Sequence, residues 1–162
     1  MMGVYNVLAE AFRYPIPGFL ERLRAGISSL PAGPVRERLE VFAARAGHLT
    51  LDEWEQLYTR TLDLNPISPP YVGYLLWGDN YARGQFMAQL SQAMHQTGVD
   101  LEGELPDHLV PLLRYLDLAP GTLADLEHTL KPALEVMTQS LAKVDPDNLY
   151  LEPLAAVLEE VS

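Results

Sequence analysis

The sequence predicts an all-α protein, a compact helical bundle-like domain of about seven to nine helices that spans residues 1–162. Apolar residues recur at helical spacing along the whole chain, and no segment alternates as a half-buried strand would. Segments rich in proline and glycine interrupt this periodicity at short intervals, which limits each helix to a few turns. The chain has 162 residues and no obvious linker, so we expect one domain with one hydrophobic core.

Three helices are predicted before residue 48. The first ends at "YPIPG", the second ends at "SSLPAGP", and the third begins at Pro34 and stops at Gly47, since proline suits a first helical turn and glycine a helix end. The residues expected to face the core are Val4, Val7, Leu8, Ala11, Phe12, Phe19, Leu20, Leu23, Ile27, Val35, Leu39, Phe42 and Ala46.

A capping box predicts where the fourth helix begins. Thr50 is the N-cap and Glu53 stands three residues later, while Leu49 and Trp54 occupy the flanking staple positions. The side chains expected to be buried in this helix are those of Leu51, Trp54, Leu57 and Tyr58. Residues 62–70, "LDLNPISPP", are predicted to form a loop because their three prolines cannot continue a helix.

The longest regular stretch is "DNYARGQFMAQLSQAMHQTG", a helix predicted to be capped by Asp79 and to end at Gly98. Met87, Leu90 and Met94 lie on one face of it, with Ala82 and Phe86 beside them. A glycine within a helix costs about 1 kcal/mol relative to alanine. The glycine at position 84 is therefore expected to allow close approach of another backbone.

Proline also organises the last third of the chain. Pro106 and Pro111 predict a short turn at 106–109, followed by a helix with three inward leucines, at positions 112, 113 and 116. A further helix is expected to start at Thr122 and to be kinked or divided at Pro132. The residues of the last helix that are expected to face inward are Leu154, Val157 and Leu158.

The chain has a net charge of −11, and the charge is unevenly distributed. Residues 1–50 carry 6 Lys and Arg against 4 Asp and Glu, whereas residues 51–162 carry 5 against 18. An acidic surface repels nucleic acid and anionic lipid but attracts a basic peptide, although acidity can also serve solubility alone. The chain has no cysteine, and neither a signal peptide nor a membrane-spanning run is evident, so we expect a cytoplasmic protein.

The sequence offers few candidates for catalysis or for metal binding. The four histidines do not stand at paired-ligand spacing, and nucleophile-elbow and phosphate-loop motifs are absent. We therefore expect no bound metal, no cofactor and no catalytic residues. The adjacent Asp107 and His108 remain open to two interpretations, an acid–base pair or the start of a helix, where Asp107 would favour the positive helix end.

Two stretches resemble a known family. "YVGYLLWGDNYARGQFMAQL" contains a G-(D/E)-x-x-x-R-G pattern at residues 78–84, followed by Met87. "GVDLEGELPDHLVPLLRYL" contains E-L-P-D-(H/Y)-L at residues 104–109, with the usual next proline displaced by one position to Pro111. "LAEAFRYP" is similar to the family's opening L-x-x-L-x-x-Y-P helix. Together they resemble the nitrate reductase maturation chaperones, which are related to the chaperones of dimethyl sulfoxide and trimethylamine N-oxide reductases.

The resemblance implies a function other than catalysis. Members of the family are all-helical, cytoplasmic and free of cofactors. They hold the catalytic subunit of a molybdenum oxidoreductase, partly by its N-terminal leader-like segment, until the molybdenum cofactor is inserted and the enzyme is exported or docked on its membrane anchor. The implied partner is thus the catalytic subunit of a nitrate reductase or a related enzyme.

A groove that binds a basic amphipathic segment of this partner is predicted from the resemblance. Its expected residues are Tyr71, Tyr74, Trp77, Asp79, Arg83, Met87, Pro106, Asp107 and His108. Asp107 and His108 are expected to be exposed and to contact the partner, so Asp107→Asn should weaken binding without lowering the melting temperature, since Asn can still cap. His108 should add pH sensitivity near its ordinary pKa of about 6.5.

Plainer interpretations stay open beside this groove. The aromatic and methionine side chains also fit a plain core, and Arg83 could pair with Asp79 at i,i+4 on its own helix. Two other functions are compatible with the residues: a small helical enzyme that uses Asp107 and His108 as an acid–base pair, or an acidic adaptor that binds other proteins.

Overall fold

The computed structural model describes residues 3–63, 66–118 and 126–162. Within these ranges the chain forms nine α-helices and no strand, which confirms the predicted fold class and helix number. The helices are α1 Val4–Ala11, α2 Phe19–Ser28, α3 Pro34–Ala46, α4 Leu51–Tyr58, α5 Val72–Trp77, α6 Tyr81–Thr97, α7 Leu109–Leu118, α8 Leu126–Val144 and α9 Leu151–Val161. None of these helices combines the length and hydropathy of a membrane span.

The helices pack around one continuous apolar core. The α9 helix lies against α3 and α8, and α1 lies against α7, α2 and α9. On one side α5 packs on α8, and α6 contacts α5 and α7. The long α6 helix buries only Leu90, Ala93 and Met94, so most of its surface faces solvent. The fully buried residues of α6 therefore all lie in its C-terminal half.

Trp54 of α4 ties the first half of the chain to the second. Its indole Nε1 donates a hydrogen bond to the Tyr150 hydroxyl at 3.1 Å. Its ring meets Phe19 and Phe42 edge-on, at centroid distances of 5.2 and 6.1 Å. Burying an aromatic ring together with its polar group requires such a partner, so Trp54 and Tyr150 satisfy each other inside the core.

The predictions for α1 to α4 are largely confirmed. Most of the residues expected to face the core in α1 to α3 are buried, and Val4, Leu20 and Val35 are partly buried. The capping box forms as predicted, with the Glu53 amide donating to Thr50 Oγ1 and the Thr50 amide donating to Glu53 Oε1.

Two predictions around α4 are wrong. Leu51, the first residue of the helix, is exposed because its side chain precedes the buried face that starts at Trp54. The predicted loop also begins too early, since a π-helical turn at Thr59–Asp63 continues α4 through Leu62. Leu62 is buried, and this burial favours one further helical turn before the prolines.

The α6 helix starts one residue later than predicted. Asn80 is the N-cap instead of Asp79, and its Oδ1 accepts hydrogen bonds from the amides of Ala82 and Arg83 at 2.9 and 3.4 Å. Gly98 ends the helix with φ +77°, as predicted. The expected close approach at Gly84 is wrong, because a Cβ placed there would meet nothing within 4 Å.

The α7 helix begins at Leu109, after a turn in which the His108 amide donates to the Leu105 carbonyl at 3.0 Å. Pro111 is then the third helical residue, where the missing N–H has no intrahelical partner to lose. The predicted turn lies one residue earlier than expected. The three inward leucines of this helix, at positions 112, 113 and 116, are all buried as predicted.

The predictions for the end of the chain are confirmed in part. The predicted helix start at Thr122 lies outside the described residues. Pro132 lies inside α8 and does not divide it. In α9, Leu154 and Val157 are buried as predicted, while Leu158 is partly buried.

Candidate functional site

The two motif-bearing stretches meet in space. Tyr71, just before α5, and His108, just before α7, form an isolated antiparallel bridge. Within it the Val72 amide donates to the Asp107 carbonyl at 2.9 Å. This contact fixes the start of α5 against the start of α7. Side chains that are distant in sequence are thereby gathered at one place.

A buried ion pair lies at the centre of this place. Arg83 Nε donates to Asp107 Oδ2 at 2.9 Å, and Arg83 Nη2 donates to Oδ1 at 3.3 Å, so the guanidinium holds the carboxylate with two hydrogen bonds. The Asp107 side chain is fully buried, and that of Arg83 is 13% exposed. The hydrogen bond to Asp107 is the main reason why the pKa of Arg83 is raised further above its ordinary value. The alternative pairing of Arg83 with Asp79 on its own helix is wrong.

Two tyrosine rings also contact the same guanidinium. Arg83 Cζ lies 5.9 Å from the centroid of the Tyr71 ring and 5.5 Å from that of Tyr74. A guanidinium at this range is attracted to the negative faces of aromatic rings. Arg83 therefore connects the buried Asp107 to two aromatic side chains at the surface.

Gly73 makes room for this arrangement. A Cβ at position 73 would stand 2.8 Å from Asp107 Oδ2, 3.1 Å from Arg83 Cγ and 3.1 Å from Phe86 Cδ2. The position is buried on the side of α5 where these groups lie. Glycine at this position is required by space, because any side chain would displace one partner of the ion pair.

Glu104 and His108 complete the cluster. The Tyr71 hydroxyl donates to Glu104 Oε2 at 3.0 Å, and burial together with this bond raises the pKa of Tyr71 to about 12. His108 Nδ1 accepts a hydrogen bond from the Val110 amide at 3.1 Å, as an N-cap side chain does, so its neutral ring carries the proton on Nε2. Glu104 Oε2 lies 3.8 Å from that Nε2.

Burial lowers the pKa of His108 below its usual 6.5, and the smaller opposing effects come from the carboxylates of Glu104, Asp107 and Asp63. As the pH falls, the unfolded chain therefore binds a proton before the folded chain does, and stability is lost from about pH 6.5 downward until the lowered pKa is reached. We expect the slope of melting temperature against pH between about pH 7 and 5 to be smaller in His108→Gln than in the wild type. His48→Gln, at an exposed position, is the matched control. Equal slopes in all three proteins would contradict this expectation.

The expected exposure of Asp107 and His108 is wrong. Both side chains are buried, Asp107 because it pairs with Arg83 and His108 because it caps α7 beneath Tyr71, whose ring it meets edge-on at 5.2 Å. Asp107 therefore does not start the helix, and its charge is not presented to solvent. The two side chains also face different partners, which leaves no acid–base pair between them.

The remaining predicted residues are spread over the same region. Tyr71 is partly buried, while Tyr74 and Trp77 are exposed at 46% and 36%. Asp79 is exposed, and Met87 and Pro106 are partly buried. The structure brings together Tyr71, Tyr74, Arg83, Asp107 and His108. Pro106 directly precedes Asp107 in the chain, and Met87 follows Arg83 by one turn of α6.

Several participants were missed from the sequence. Gly73 stands within the aromatic stretch without a turn signal, and Glu104 was noted only as part of a motif. Phe86 was predicted to lie beside the Met87, Leu90 and Met94 face of its helix, and its contact with the Trp77 ring, at 5.1 Å, was not foreseen. The only available signal for Gly73 was that a glycine interrupts an otherwise large-residue stretch, which indicates close packing against a neighbour.

The described residues contain no group of three or more His, Asp and Glu side chains that could hold a metal. What the cluster offers is an aromatic surface, supplied by Tyr74, Trp77 and Tyr81, of which Tyr81 is 81% exposed. Residues 71–86, called the aromatic segment below, carry these side chains. Exposed aromatic residues in one short stretch are typical of surfaces that bind other proteins.

Comparison with known families agrees with the motifs. The model of the family described as nitrate reductase delta subunit matches residues 29–146, which is more than half of the chain and includes both motif-bearing stretches. A comparison with curated proteins finds no match. The predicted resemblance is confirmed, and the protein belongs to the nitrate reductase delta subunit family, a family of maturation chaperones.

Proposed function

We propose that this protein is a cytoplasmic chaperone. It binds the catalytic subunit of a molybdenum oxidoreductase, namely a nitrate reductase, before that subunit has received its cofactor. It holds the N-terminal leader-like segment of the subunit and assists insertion of the molybdenum cofactor before export or membrane docking. Residues 1–162 act as one chaperone domain without catalytic residues of its own. Family membership supports this proposal at the level of the protein class.

The observation that carries the binding site is the exposure of the aromatic segment. Tyr74, Trp77 and Tyr81 present large rings to solvent in a helical protein that buries most of its other aromatic side chains. Burying such rings against the apolar face of a helix contributes roughly 25 cal/mol per Å² of apolar surface. A partner helix therefore gains most of its affinity here.

The buried residues of the cluster take a different role from the one that the sequence suggested. Asp107 and His108 do not touch the segment of the partner. They hold Arg83 and Tyr71, and through them the rings of the aromatic segment, in one arrangement before binding. A pre-organised surface loses less conformational entropy when it binds. Asp79, Met87 and Pro106 contact the partner segment at the edge of this surface.

The net negative charge of the chain favours the same kind of partner, a basic segment. The chain carries a net charge of −11, so a basic segment is attracted before contact and oriented on approach. Exposed charges at this range are screened by salt, while apolar contacts are not. We expect affinity to fall moderately with added salt and to persist at high ionic strength.

Calorimetric titration with a synthetic peptide of the N-terminal segment of the catalytic subunit tests the proposal. Trp77→Ala and Tyr74→Ala should each weaken binding roughly tenfold. Trp77 also packs on Phe86 and Tyr74 on Arg83, so the melting temperature of each variant is measured beside its affinity. Val41→Ala on α3, at 45% exposure, is the matched control and should bind as the wild type does. Unchanged affinity in both aromatic variants would place the partner elsewhere, and absence of any binding would overturn the function itself.

A further inference from the structure

The connection between α6 and α7 contains a strained residue. Glu102 adopts φ +54°, and it is the only non-glycine residue with a positive φ in the part of the chain that the structure describes. A left-handed conformation crowds the Cβ of an L-residue against the backbone, so glutamate is strained at this position whereas glycine would not be. Strain of this kind persists only where the surrounding structure holds it in place.

Two guanidinium groups hold the Glu102 side chain. Arg13, which follows α1, donates from Nη2 to Glu102 Oε1 at 3.0 Å, and Arg114 Nη1 of α7 lies 3.5 Å from the same oxygen. Both arginines also pair with Glu10 of α1, at 3.3 and 3.1 Å. The four side chains thus form a closed ring of alternating charges, and such a network stabilises more than an isolated surface pair does.

Residues 99–105, called the latch segment below, have few other attachments. Val99 and Leu101 are partly buried against the core. The Glu104 amide donates to the Leu101 carbonyl at 2.9 Å, a bond that lies within the segment. The Glu104 side chain accepts from Tyr71, so this bond and the ion pairs of Glu102 join side chains of the segment to the rest of the described chain.

The ring of charges borders a cleft of about 340 Å³. Arg13 and Glu102 both line this cleft, so their bridge joins two of its walls, the end of α1 and the latch segment. Val110 also lines the cleft and is only 5% exposed. Access to Val110 therefore depends on whether the latch segment stays against α1.

The strain and the ion pairs act in opposite directions. A left-handed non-glycine residue and a pair of partly exposed ion pairs each change an equilibrium constant by roughly tenfold. The side chains of Arg13 and Glu102 are 40% and 32% exposed, so dissolved ions reach the bridge and screen it. The position of the latch segment is therefore sensitive to the loss of two charge contacts.

We propose that Glu102 is a strained latch that controls access to this cleft. While the two arginines hold Glu102, the latch segment lies against α1 and the cleft is narrow. When the ion pairs are screened or removed, Glu102 relaxes to a negative φ and the segment moves away from α1. The inference is independent of the proposed function, because it concerns the free protein and no partner enters its test.

Amide hydrogen exchange followed by NMR tests the role of strain. Glu102→Ala removes the charge and keeps the strain, whereas Glu102→Gly removes both. Exchange of the Glu104 amide should be about tenfold faster than in the wild type in Glu102→Ala, and only about threefold faster in Glu102→Gly. The intrinsic rate of this amide is unchanged, because residues 103 and 104 are retained.

Glu40→Ala is the matched control for the loss of a surface ion pair. It removes the Arg36–Glu40 pair on α3, which has an N···O distance of 2.7 Å, and should leave exchange of the Glu104 amide as in the wild type. Added NaCl, at roughly 1 M, should speed that exchange about threefold in the wild type and in Glu40→Ala. Glu102→Ala has already lost the screened pairs, so its exchange should not respond to salt.

Thiol reactivity tests access to the cleft. The chain has no cysteine, so Val110→Cys introduces a single thiol at the cleft wall. Its modification by a small thiol reagent should be about tenfold faster when Glu102→Ala is added, because the reagent reaches the thiol only after the latch segment moves. Melting temperatures of all variants show whether the fold as a whole is retained.

The two measurements address separate parts of the inference. Exchange that increases in the order wild type, Glu102→Gly, Glu102→Ala, together with faster thiol modification, supports the latch. Equal exchange in the alanine and glycine variants would overturn the role of strain. Equal thiol reactivity with and without Glu102→Ala would overturn the control of the cleft.

Discussion

Asp107→Ala is expected to lower the free energy of unfolding by about 3 kcal/mol, because it leaves the mostly buried Arg83 guanidinium without its carboxylate. The value is at the low end for a broken buried pair, since Arg83 retains 13% exposure and can recruit water. For a chain of this size the melting temperature should fall by roughly 6–12 °C. Urea unfolding followed by circular dichroism measures both the free energy and its dependence on denaturant.

A double-mutant cycle gives the control. Arg83→Ala alone leaves Asp107 buried and unpaired, and the double variant leaves neither charge, so it should be clearly more stable than the sum of the two single losses predicts. Asp107→Asn should also lower the melting temperature, contrary to the sequence-based expectation, because the position is half of an ion pair and does not cap a helix. Additive losses in the cycle would mean that the ion pair contributes no coupling.

Gly73→Ala is expected to lower the free energy of unfolding by about 2 kcal/mol. The new Cβ would stand 2.8 Å from Asp107 Oδ2 and 3.1 Å from Arg83 Cγ, so the ion pair must shift to admit one methyl group. Binding of the client peptide should weaken together with stability, because the rings that Arg83 orients shift as well. Thermal unfolding and peptide titration of the same preparation provide the two measurements.

Gly84→Ala is the matched control for this substitution. The two glycines lie one in α5 and one in α6, but a Cβ at position 84 meets nothing within 4 Å. Alanine there should raise the free energy of unfolding by about 0.5–1 kcal/mol through helix propensity and the entropy of the unfolded chain. If both substitutions changed stability by the same amount and sign, crowding at Gly73 would not be the cause.

The fold was predictable because its determinants are local. The capping box at Thr50 and Glu53 and the stop at Gly98 each depend on residues within one helical turn. The apolar stripes of α1 and α2 are likewise read at spacings of three and four residues. Neighbours along the chain decide these features, so the helices and most of the buried faces follow from the sequence.

The candidate site was predictable only in part. The motifs pointed to Arg83 and Asp107, but two carboxylates competed for the arginine, and local spacing favoured Asp79. Burial reverses that preference, because a fully enclosed carboxylate requires a charged partner whereas an exposed one is solvated by water. Which carboxylate becomes enclosed depends on how α5, α6 and α7 pack, and periodicity does not contain that information.

The same dependence on helix packing explains why the sequence indicated Gly84, and not Gly73, as the glycine in close contact with a neighbour. Sequence patterns mark Gly84 as costly inside a helix, yet only the packing of α5 against α6 reveals that Gly73 is the crowded one. It also explains His108, which was expected to titrate at the surface. Its ring is enclosed by the first turn of α7, which directly follows it, and by Tyr71, which stands more than thirty positions earlier in the chain.

The bridge between Tyr71 and His108 has a consequence for where the chain can be lengthened. It brings together the two ends of residues 72–107, so α5 and α6 lie on a closed loop of chain that begins and ends at the same point, with α5 packed on α8. Lengthening such a closed loop costs little, about 0.6 kcal/mol for each doubling of its length. We therefore expect an insertion after Gly98, beyond the buried residues of α6, to leave the start of α7 in place.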